Sequence, residues 1–261
     1  MSQAELTTHR PLVTAPPLPR EHGAWIGLGT ACLVGLLAGG TPDLHSIVAG
    51  AAALAFFAAK ASAEHFAIGL RPERATFWLT AFVGAGGILL AALGDRIPHG
   101  GAPVALVAAM AALFAHGAAR AGRAHRALVW EAVGFFGIGG AAALVALVQG
   151  AAPGRAIALW LLVGAHLAAT VPFVRLRVRP AEKRARFAAA SVLAQAGAML
   201  AAGAVVGAGL ASPRIAFAFL PALVKIGRVL LRHEGPQPAK RVGLEETGWT
   251  LLFAVLLAAL A

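Results

Sequence analysis

The stretch AIALWLLVGAHLAATVPFV, residues 156–174, decides the fold class, because its 19 residues include no Asp, Glu, Lys or Arg. An α-helix rises about 1.5 Å per residue, so a run of this length nearly spans the hydrocarbon core of a bilayer, which is about 30 Å thick. The cluster RLRVR, residues 175–179, follows directly. An apolar run that ends in arginines is typical of a transmembrane helix with its basic flank at the cytoplasmic surface.

The composition of the whole chain indicates the same environment. Its 261 residues are 59% hydrophobic and 13% charged, with a formal net charge of +11 and a mean hydropathy of +0.77. A soluble domain carries about 25% charged residues, so a soluble nucleic-acid-binding protein is excluded. Disorder of the whole chain is excluded as well, since it requires low hydrophobicity. The single cysteine, Cys32, excludes an intrachain disulfide and a multi-cysteine metal site.

Similar runs recur along the chain and predict an all-α polytopic transmembrane helix bundle of about nine helices. The runs are His22–Pro42, Leu44–Ala59, Ala75–Gly94, Ile97–Ala119, Ala132–Gly154, Ala156–Val174, Phe187–Pro213, Ile215–Val224 with an extension to Leu231, and Thr247–Ala261. The last run measures roughly 22 Å as a helix, so it must thin the bilayer, begin inside its polar flank, or stop short of spanning. We predict a disordered cytoplasmic tail over residues 1–19 and a transmembrane helical domain over residues 20–261, whose first helix is retained.

The basic residues predict the orientation of the bundle. With the N-terminus in the cytoplasm, 19 of the 22 Lys and Arg residues fall in cytoplasmic segments. The exceptions are Arg96, Arg155 and Arg214. Because Lys and Arg are enriched in the cytoplasmic loops of membrane proteins, this distribution favours a cytoplasmic N-terminus.

One histidine lies deep inside a predicted span. His166 is about ten residues into its run, near the predicted midplane. Ionisable groups within spans are costly and often functional. Two interpretations stay open, namely a neutral histidine bonded to a neighbouring helix and a site for a proton or a substrate.

Other charged residues stand at or within the predicted helix ends. Glu131 either pairs with a loop arginine or acts as a general base. Lys225 and Arg228 are three residues apart and therefore share one face of a helix. Lys60 and Glu64 form either an interfacial ion pair or part of a site.

The arginines after residue 174 form the longest basic cluster. Arg175, Arg177 and Arg179 either mark a loop that binds anionic lipid or clamp a phosphate or carboxylate, for which arginine offers a bidentate fork. The chain contains no P-loop, no serine-hydrolase elbow, no HExxH motif and no Cys/His metal spacing. The sequence therefore predicts no cofactor and no metal.

Three local strings are more specific than these features. They are PREHGAW at residues 19–25, VRLR at residues 174–177 and AKRVGLE at residues 239–245. Together they resemble the YwiC-like family of bacterial integral membrane proteins. This resemblance implies a multi-pass protein of the bacterial inner (cytoplasmic) membrane, and it implies no particular reaction. The residues that match family motif positions are His22, Trp25, Arg175, Arg177, Lys240 and Glu245.

The nine-helix layout also resembles the UbiA-type prenyltransferases. Those proteins hold magnesium and a diphosphate with two Asp-rich motifs after helices two and six. The corresponding segments here, residues 60–65 and 175–179, contain no Asp. Magnesium needs clustered carboxylate oxygens, so that chemistry is not expected in this chain.

We expect the charged residues to ring a cavity at the cytoplasmic surface that binds or transforms an anionic amphipathic, lipid-like substrate. The predicted catalytic residues are His22, Glu131 and Glu245. The predicted substrate-binding residues are Arg20, Trp25, Lys60, Arg71, Arg175, Arg177, Lys225, Arg228 and Lys240. Two alternatives are a permease for a small anion with His166 at the midplane and an accessory factor of a membrane complex. The expected partners are the lipid bilayer and an anionic lipid or small anionic substrate, and no nucleic acid. Whether the protein is an enzyme stays open.

Overall fold

The computed structural model describes residues 15–19, 22–97, 128–232 and 235–261, and it describes the backbone alone for His22, Asp95 and Ala181. Every regular element in these ranges is helical. The helices are α1 (His22–Gly39), α2 (Leu44–Ala67), α3 (Pro72–Ala92), α4 (Leu128–Val148, broken at Gly139), α5 (Pro153–Val178), α6 (Arg184–Gly207), α7 (Leu220–Leu231) and α8 (Ala239–Leu260). A 3-10 helix, Pro213–Phe219, leads directly into α7.

The lengths and compositions of these helices confirm the predicted all-α class. Among the described residues, α2, α3, α4, α5, α6 and α8 are long and apolar enough to cross a membrane, and Gly23–Gly39 is a shorter apolar helix. Eight of the nine predicted runs coincide with these helices. The remaining run, Ile97–Ala119, lies outside the described residues beyond Ile97, so the number nine stays a prediction.

Two helices extend beyond the apolar runs that predicted them. The last helix begins at Ala239, eight residues before the run that starts at Thr247, and its 22 residues span about 33 Å. Of the three alternatives for this run, the helix therefore begins inside its polar flank. The second helix continues beyond the run that ends at Ala59 to Ala67, so Lys60, Glu64 and His65 lie in its last turns as predicted. In both places the apolar run stops at charged residues, whereas the helix includes them and several of them form ion pairs.

Local sequence explains where several helices begin. The Asp43 carboxylate accepts a hydrogen bond of 2.9 Å from the amide of Ser46, and the hydroxyl of Ser46 accepts one of 3.2 Å from the amide of Asp43. This reciprocal capping box starts α2. Hydrogen bonds from Ser46 and from His45 lower the pKa of Asp43 to about 2. Pro72 and Pro153 occupy the first turns of α3 and α5, where proline loses no helical hydrogen bond.

Small residues allow α1, α4 and α5 to pack closely in the centre of the bundle. All nine residues of Gly140–Val148 are buried. A Cβ atom added to Gly35 of α1 would lie 2.7 Å from the carbonyl oxygen of Ala142. A Cβ atom on Gly139 of α4 would lie 2.6 Å from the amide nitrogen of Gly164 on α5. Glycine at such positions permits the close backbone approach that stabilises helix pairs in membranes.

The contacts between helices also show which helix ends lie together. Gly23 lies near Phe135 and Gly39 lies near Ala146, so α1 and α4 run parallel. Arg175, near the end of α5, pairs with Glu131 at the start of α4, so these two helices are antiparallel.

The remaining helices alternate through short connections. Arg184 at the start of α6 donates to the carbonyl of Val229 near the end of α7, and the Gln237 amide before α8 donates to the carbonyl of Arg177. The starts of α1, α3, α4, α6 and α8 and the ends of α2, α5 and α7 therefore share one end of the bundle. We call it the basic end.

The described Lys and Arg residues are distributed very unequally between the two ends. At the opposite end lie Arg96, Arg155 and Arg214. At or near the basic end lie Lys60, Arg71, Arg74, Arg175, Arg177, Arg179, Lys183, Arg184, Arg186, Lys225, Arg228, Arg232, Lys240 and Arg241. The basic end is thus the part of the molecule in which a site for an anion is expected.

The close packing of α1 on α4 predicts different effects for two glycines of the same helix. Gly35→Ala must push apart α1 and the backbone of α4, which costs about 1–3 kcal/mol of unfolding free energy. Gly29→Ala meets nothing within 4 Å and gains helix propensity, so stability is unchanged or higher. Thermal unfolding of the two purified variants in the same detergent measures this difference. Equal midpoints would contradict the packing described here.

Candidate functional site

Helices α5, α7 and α8 bring cations and carboxylates together at the basic end. Arg177 of α5 donates to Glu245 of α8 at 3.0 Å, with the arginine side chain 2% exposed. Arg241 lies 3.2 Å and Arg228 lies 4.0 Å from the same carboxylate. Glu245 therefore joins three arginines from three helices and forms the outer layer of a charge network.

A second ion pair lies deeper between α7 and α8. Lys225 Nζ donates to Glu246 at 2.7 Å, and the two side chains are 3% and 12% exposed. The same ammonium lies 4.4 Å from the ring centroid of Phe173 on α5, a distance suited to a cation–π interaction. This middle layer is nearly sealed from solvent, so each charge depends on its partner for compensation.

An aromatic box follows one heptad further into the bundle. His166 precedes Phe173 by seven residues on α5, and Phe253 follows Glu246 by seven residues on α8, which places them about 10 Å deeper. The imidazole stacks on Phe253 with ring centroids 3.7 Å apart, and the edge of Phe219 lies 6.2 Å away. His166 is 2% exposed. Within the described residues neither of its ring nitrogens has a hydrogen-bond partner.

Helical spacing explains how these layers arise. Phe173 and Arg177 are four residues apart on α5, and Lys225 and Arg228 are three apart on α7, so each helix presents both residues on one face. Sequence alone predicted the shared face on α7. It did not show that α8 would supply the carboxylates opposite that face.

Glu131 also forms an ion pair. Its carboxylate accepts a hydrogen bond from Arg175 and joins the start of α4 to the end of α5. This geometry favours the interpretation of Glu131 as an arginine partner. The partner is an arginine of α5 instead of a loop arginine.

A separate cavity of about 370 Å³ opens between α2, α3 and the extended residues 15–18. Its polar lining consists of His65, Arg71 and Arg74, and its apolar lining includes Pro16, Pro17, Leu18 and Leu70. Arg74 donates to the carbonyl of Ala15 and holds the extended segment in place. Arg71 has a φ of 49°, and it is the one described non-glycine residue with a positive φ.

The other predicted site residues lie apart from the network. Trp25 donates to the carbonyl of Pro19 at 2.8 Å, and its ring packs edge-on against Phe57. Lys60 and Glu64 form a buried pair of 2.9 Å on α2. Lys240 is exposed. Arg20 and the side chain of His22 lie outside the described residues. The predicted residues are therefore brought together in groups, and the described ones do not line one common cavity.

Several residues of these sites were not predicted, among them Glu246, Arg74 and His65. Glu246 was missed because the last apolar run begins at Thr247, although two adjacent glutamates next to an apolar run are themselves a costly feature. Arg74 and His65 were missed because residues 15–19 were assigned to a disordered tail, which left no partner for them. Of that tail, residues 1–14 lie outside the described residues, and the boundary at residue 19 stays a prediction.

The fold, with six described helices long and apolar enough to cross a membrane, is that of a multi-pass helical membrane protein. Residues 18–146 match the family model described as YwiC-like protein, and this match confirms the resemblance over that part of the chain. The matched part contains Trp25, Glu131 and the cavity residues from Leu18 onwards, whereas the charge network on α5, α7 and α8 follows it. No curated protein and no solved structure matches the chain. The likeness to UbiA-type prenyltransferases is not borne out by these comparisons.

The unequal burial of two arginines on one carboxylate gives a test of the network. Arg177→Ala removes a buried partner of Glu245 and is expected to cost about 3 kcal/mol of unfolding free energy. Arg241→Ala removes a partner that is 67% exposed and is expected to cost at most about 0.5 kcal/mol. Thermal unfolding in a neutral detergent provides the comparison. The same loss in both variants would show that Arg177 has no special role.

Proposed function

We propose that the protein binds an anionic amphipathic molecule, such as an anionic lipid, at the basic end of the bundle. The headgroup occupies the cavity between α2, α3 and residues 15–18. The observation that supports this proposal is the lining of the cavity, with His65, Arg71 and Arg74 among apolar side chains. Arginine suits a phosphate or carboxylate headgroup because its planar guanidinium offers two parallel donors.

Charge compensation favours the cavity over the network as the headgroup site. Arg175, Arg177 and Lys225 each form an ion pair with a carboxylate of the chain itself. Arg71 forms no ion pair within the described residues, and it stands at the N-terminus of α3, where backbone amides favour an anion. Its left-handed backbone conformation costs about 1–3 kcal/mol, and such strain clusters at binding sites.

The surroundings of the cavity suit an apolar tail. α3 begins at the cavity and is the least buried of the candidate spans, with 11% of its most apolar window buried. It exposes Phe77, Val83 and Ile88 along its length. An acyl chain that follows this surface would continue from the headgroup site into the bilayer.

The proposed location is the bacterial inner membrane, with the N-terminus in the cytoplasm. The unequal distribution of Lys and Arg between the two ends supports a cytoplasmic basic end. The roles of Glu131 and Glu245 as general acids or bases stay predictions. To act on a substrate, each carboxylate would first have to break its ion pair with an arginine. The proposal therefore concerns binding and names no reaction.

Arg71 provides the sharpest test of ligand binding. Asn tolerates a positive φ, so Arg71→Asn removes the charge with no loss of thermal stability. We expect its affinity for a fluorescent phosphatidylglycerol in neutral detergent to fall at least tenfold, with phosphatidylcholine as the competitor. The matched control is Arg186→Gln, which removes an exposed charge at the same end away from the cavity. Equal affinity in Arg71→Asn and the wild type would contradict the proposed headgroup site.

The orientation has its own test, because α8 crosses from the basic end to the opposite end. A reporter that is active only outside the cytoplasm is fused after Gly235 in one chain and after Ala261 in another. We expect no activity from the first fusion and full activity from the second. The opposite pattern would place the basic end outside, and equal signals would show that α8 does not span.

A further inference from the structure

We propose that the cavity at Arg71 and Arg74 selects a phosphomonoester headgroup, such as that of phosphatidic acid, over a phosphodiester headgroup. This inference rests on the proposed function, because it concerns the same cavity, and it adds the chemical class of the ligand. The two classes differ in charge and in oxygen count. A phosphomonoester carries close to two negative charges at neutral pH and has three terminal oxygens, whereas a phosphodiester carries one charge and has two.

The connection between α2 and α3 brings the basic side chains of the cavity together. The amide of Leu70 donates to the carbonyl of His65 at 2.9 Å, and Gly69 has a φ of 67°. A glycine in this left-handed conformation is a common way to end a helix, and here it lets the chain turn within a few residues. His65 from the last turn of α2 therefore lines the same cavity as Arg71 and Arg74 from the start of α3.

The arginines of the cavity have no carboxylate in its lining to balance their charge. The described residues that line the cavity include no Asp and no Glu. Along the chain, the carboxylates on either side are Glu64 and Glu73. Glu64 forms its ion pair with Lys60 at 2.9 Å, and Glu73 is exposed to solvent. A ligand with two negative charges therefore matches the two guanidinium groups, and a ligand with one leaves a guanidinium unbalanced.

Arg74 also has a donor that lacks an acceptor. One of its terminal nitrogens donates to the neutral carbonyl of Ala15, and its Nε is buried with no hydrogen-bond partner among the described residues. A buried donor without an acceptor destabilises the folded state, so a ligand oxygen that accepts from it is favoured. Arginine binds phosphate through two parallel hydrogen bonds. Two arginines can share three terminal oxygens with one oxygen in common, whereas in a phosphodiester both arginines compete for the same two.

The volume of the cavity and the turn beside it favour a lipid as the source of the phosphomonoester. The cavity of about 370 Å³ is near the lower end of the range for ligand pockets, about 300–1,000 Å³, which suits a headgroup better than acyl chains. Phe66, Ile68 and Leu70 of the turn are each about half exposed beside the arginines. Exposed apolar side chains next to polar ones mark sites of membrane contact. Such a turn positions the cavity at the level of the lipid headgroups.

The test compares two lipids that share their acyl chains and differ in the headgroup. Fluorescent phosphatidic acid and fluorescent phosphatidylglycerol are titrated with the purified full-length chain in an uncharged detergent, at about pH 8, where the monoester is dianionic. We expect a Kd about tenfold lower for phosphatidic acid, because it forms an additional charge-assisted hydrogen bond.

A soluble phosphomonoester distinguishes the two sources of this headgroup. Glycerol 3-phosphate lacks the apolar tail, so it is expected to compete about 100-fold more weakly than unlabelled phosphatidic acid. Competition as strong as that of phosphatidic acid would overturn the assignment of the ligand to a lipid.

Four variants separate selectivity in the cavity from a general attraction between a basic protein and the more highly charged lipid. Arg71→Asn should weaken the binding of phosphatidic acid about thirtyfold and that of phosphatidylglycerol about tenfold, so the preference falls to about threefold. Arg74→Gln should lower the preference in the same way. Arg71→Lys keeps the charge and should keep most of the preference. Arg186→Gln changes an exposed position away from the cavity and should keep all of it.

Two results would overturn this inference and leave the proposed function intact. One is a wild type that binds the two lipids with equal affinity. The other is an Arg71→Asn variant that loses the same factor of affinity for both lipids, because the preference then does not arise in the cavity. By contrast, an Arg71→Asn variant that binds both lipids as tightly as the wild type would overturn the headgroup site itself, and the proposed function with it.

Discussion

The cost of a charge inside an apolar bundle is the constraint on which the rest of the structure depends. Each strongly buried cation of the described residues has a carboxylate partner, as Lys60 has Glu64, Arg177 has Glu245 and Lys225 has Glu246. Two of these three pairs join different helices. A buried charge therefore fixes the position of the neighbouring helix that carries its partner, and at the basic end such pairs join α5 and α7 to α8.

This constraint separates two kinds of basic residue. Those with partners inside the chain hold α4, α5, α7 and α8 in register. Those without a partner, of which Arg71 is the clearest described example, stand at a cavity edge where a ligand can supply the missing charge. His166 belongs to neither group, because its cost comes from missing hydrogen bonds instead of missing charge compensation.

The helix positions could be predicted from the sequence because hydrophobic run length is a local property. The apolar runs stop before Lys60 and begin after Glu246, and the helices extend past both points because ion pairs make charged residues acceptable inside a helix. The partners themselves could not be predicted, since Arg177 and Glu245 are 68 residues apart in the chain. The cavity at Arg71 depends on how residues 15–18 fold back, which no local pattern in that proline-rich segment indicates.

The spacing of Arg175 and Arg177 has a consequence for the order in which the protein is assembled. Two residues along a helix turn the side-chain direction by about 200°, so these arginines point to opposite sides of α5. One meets Glu131 of α4, which is synthesised before α5, and the other meets Glu245 of α8, which is synthesised after it. When α5 enters the membrane, the partner of Arg175 is already made and Glu245 is not. The end of α5 therefore gains its second interhelical ion pair only after α8 has been made.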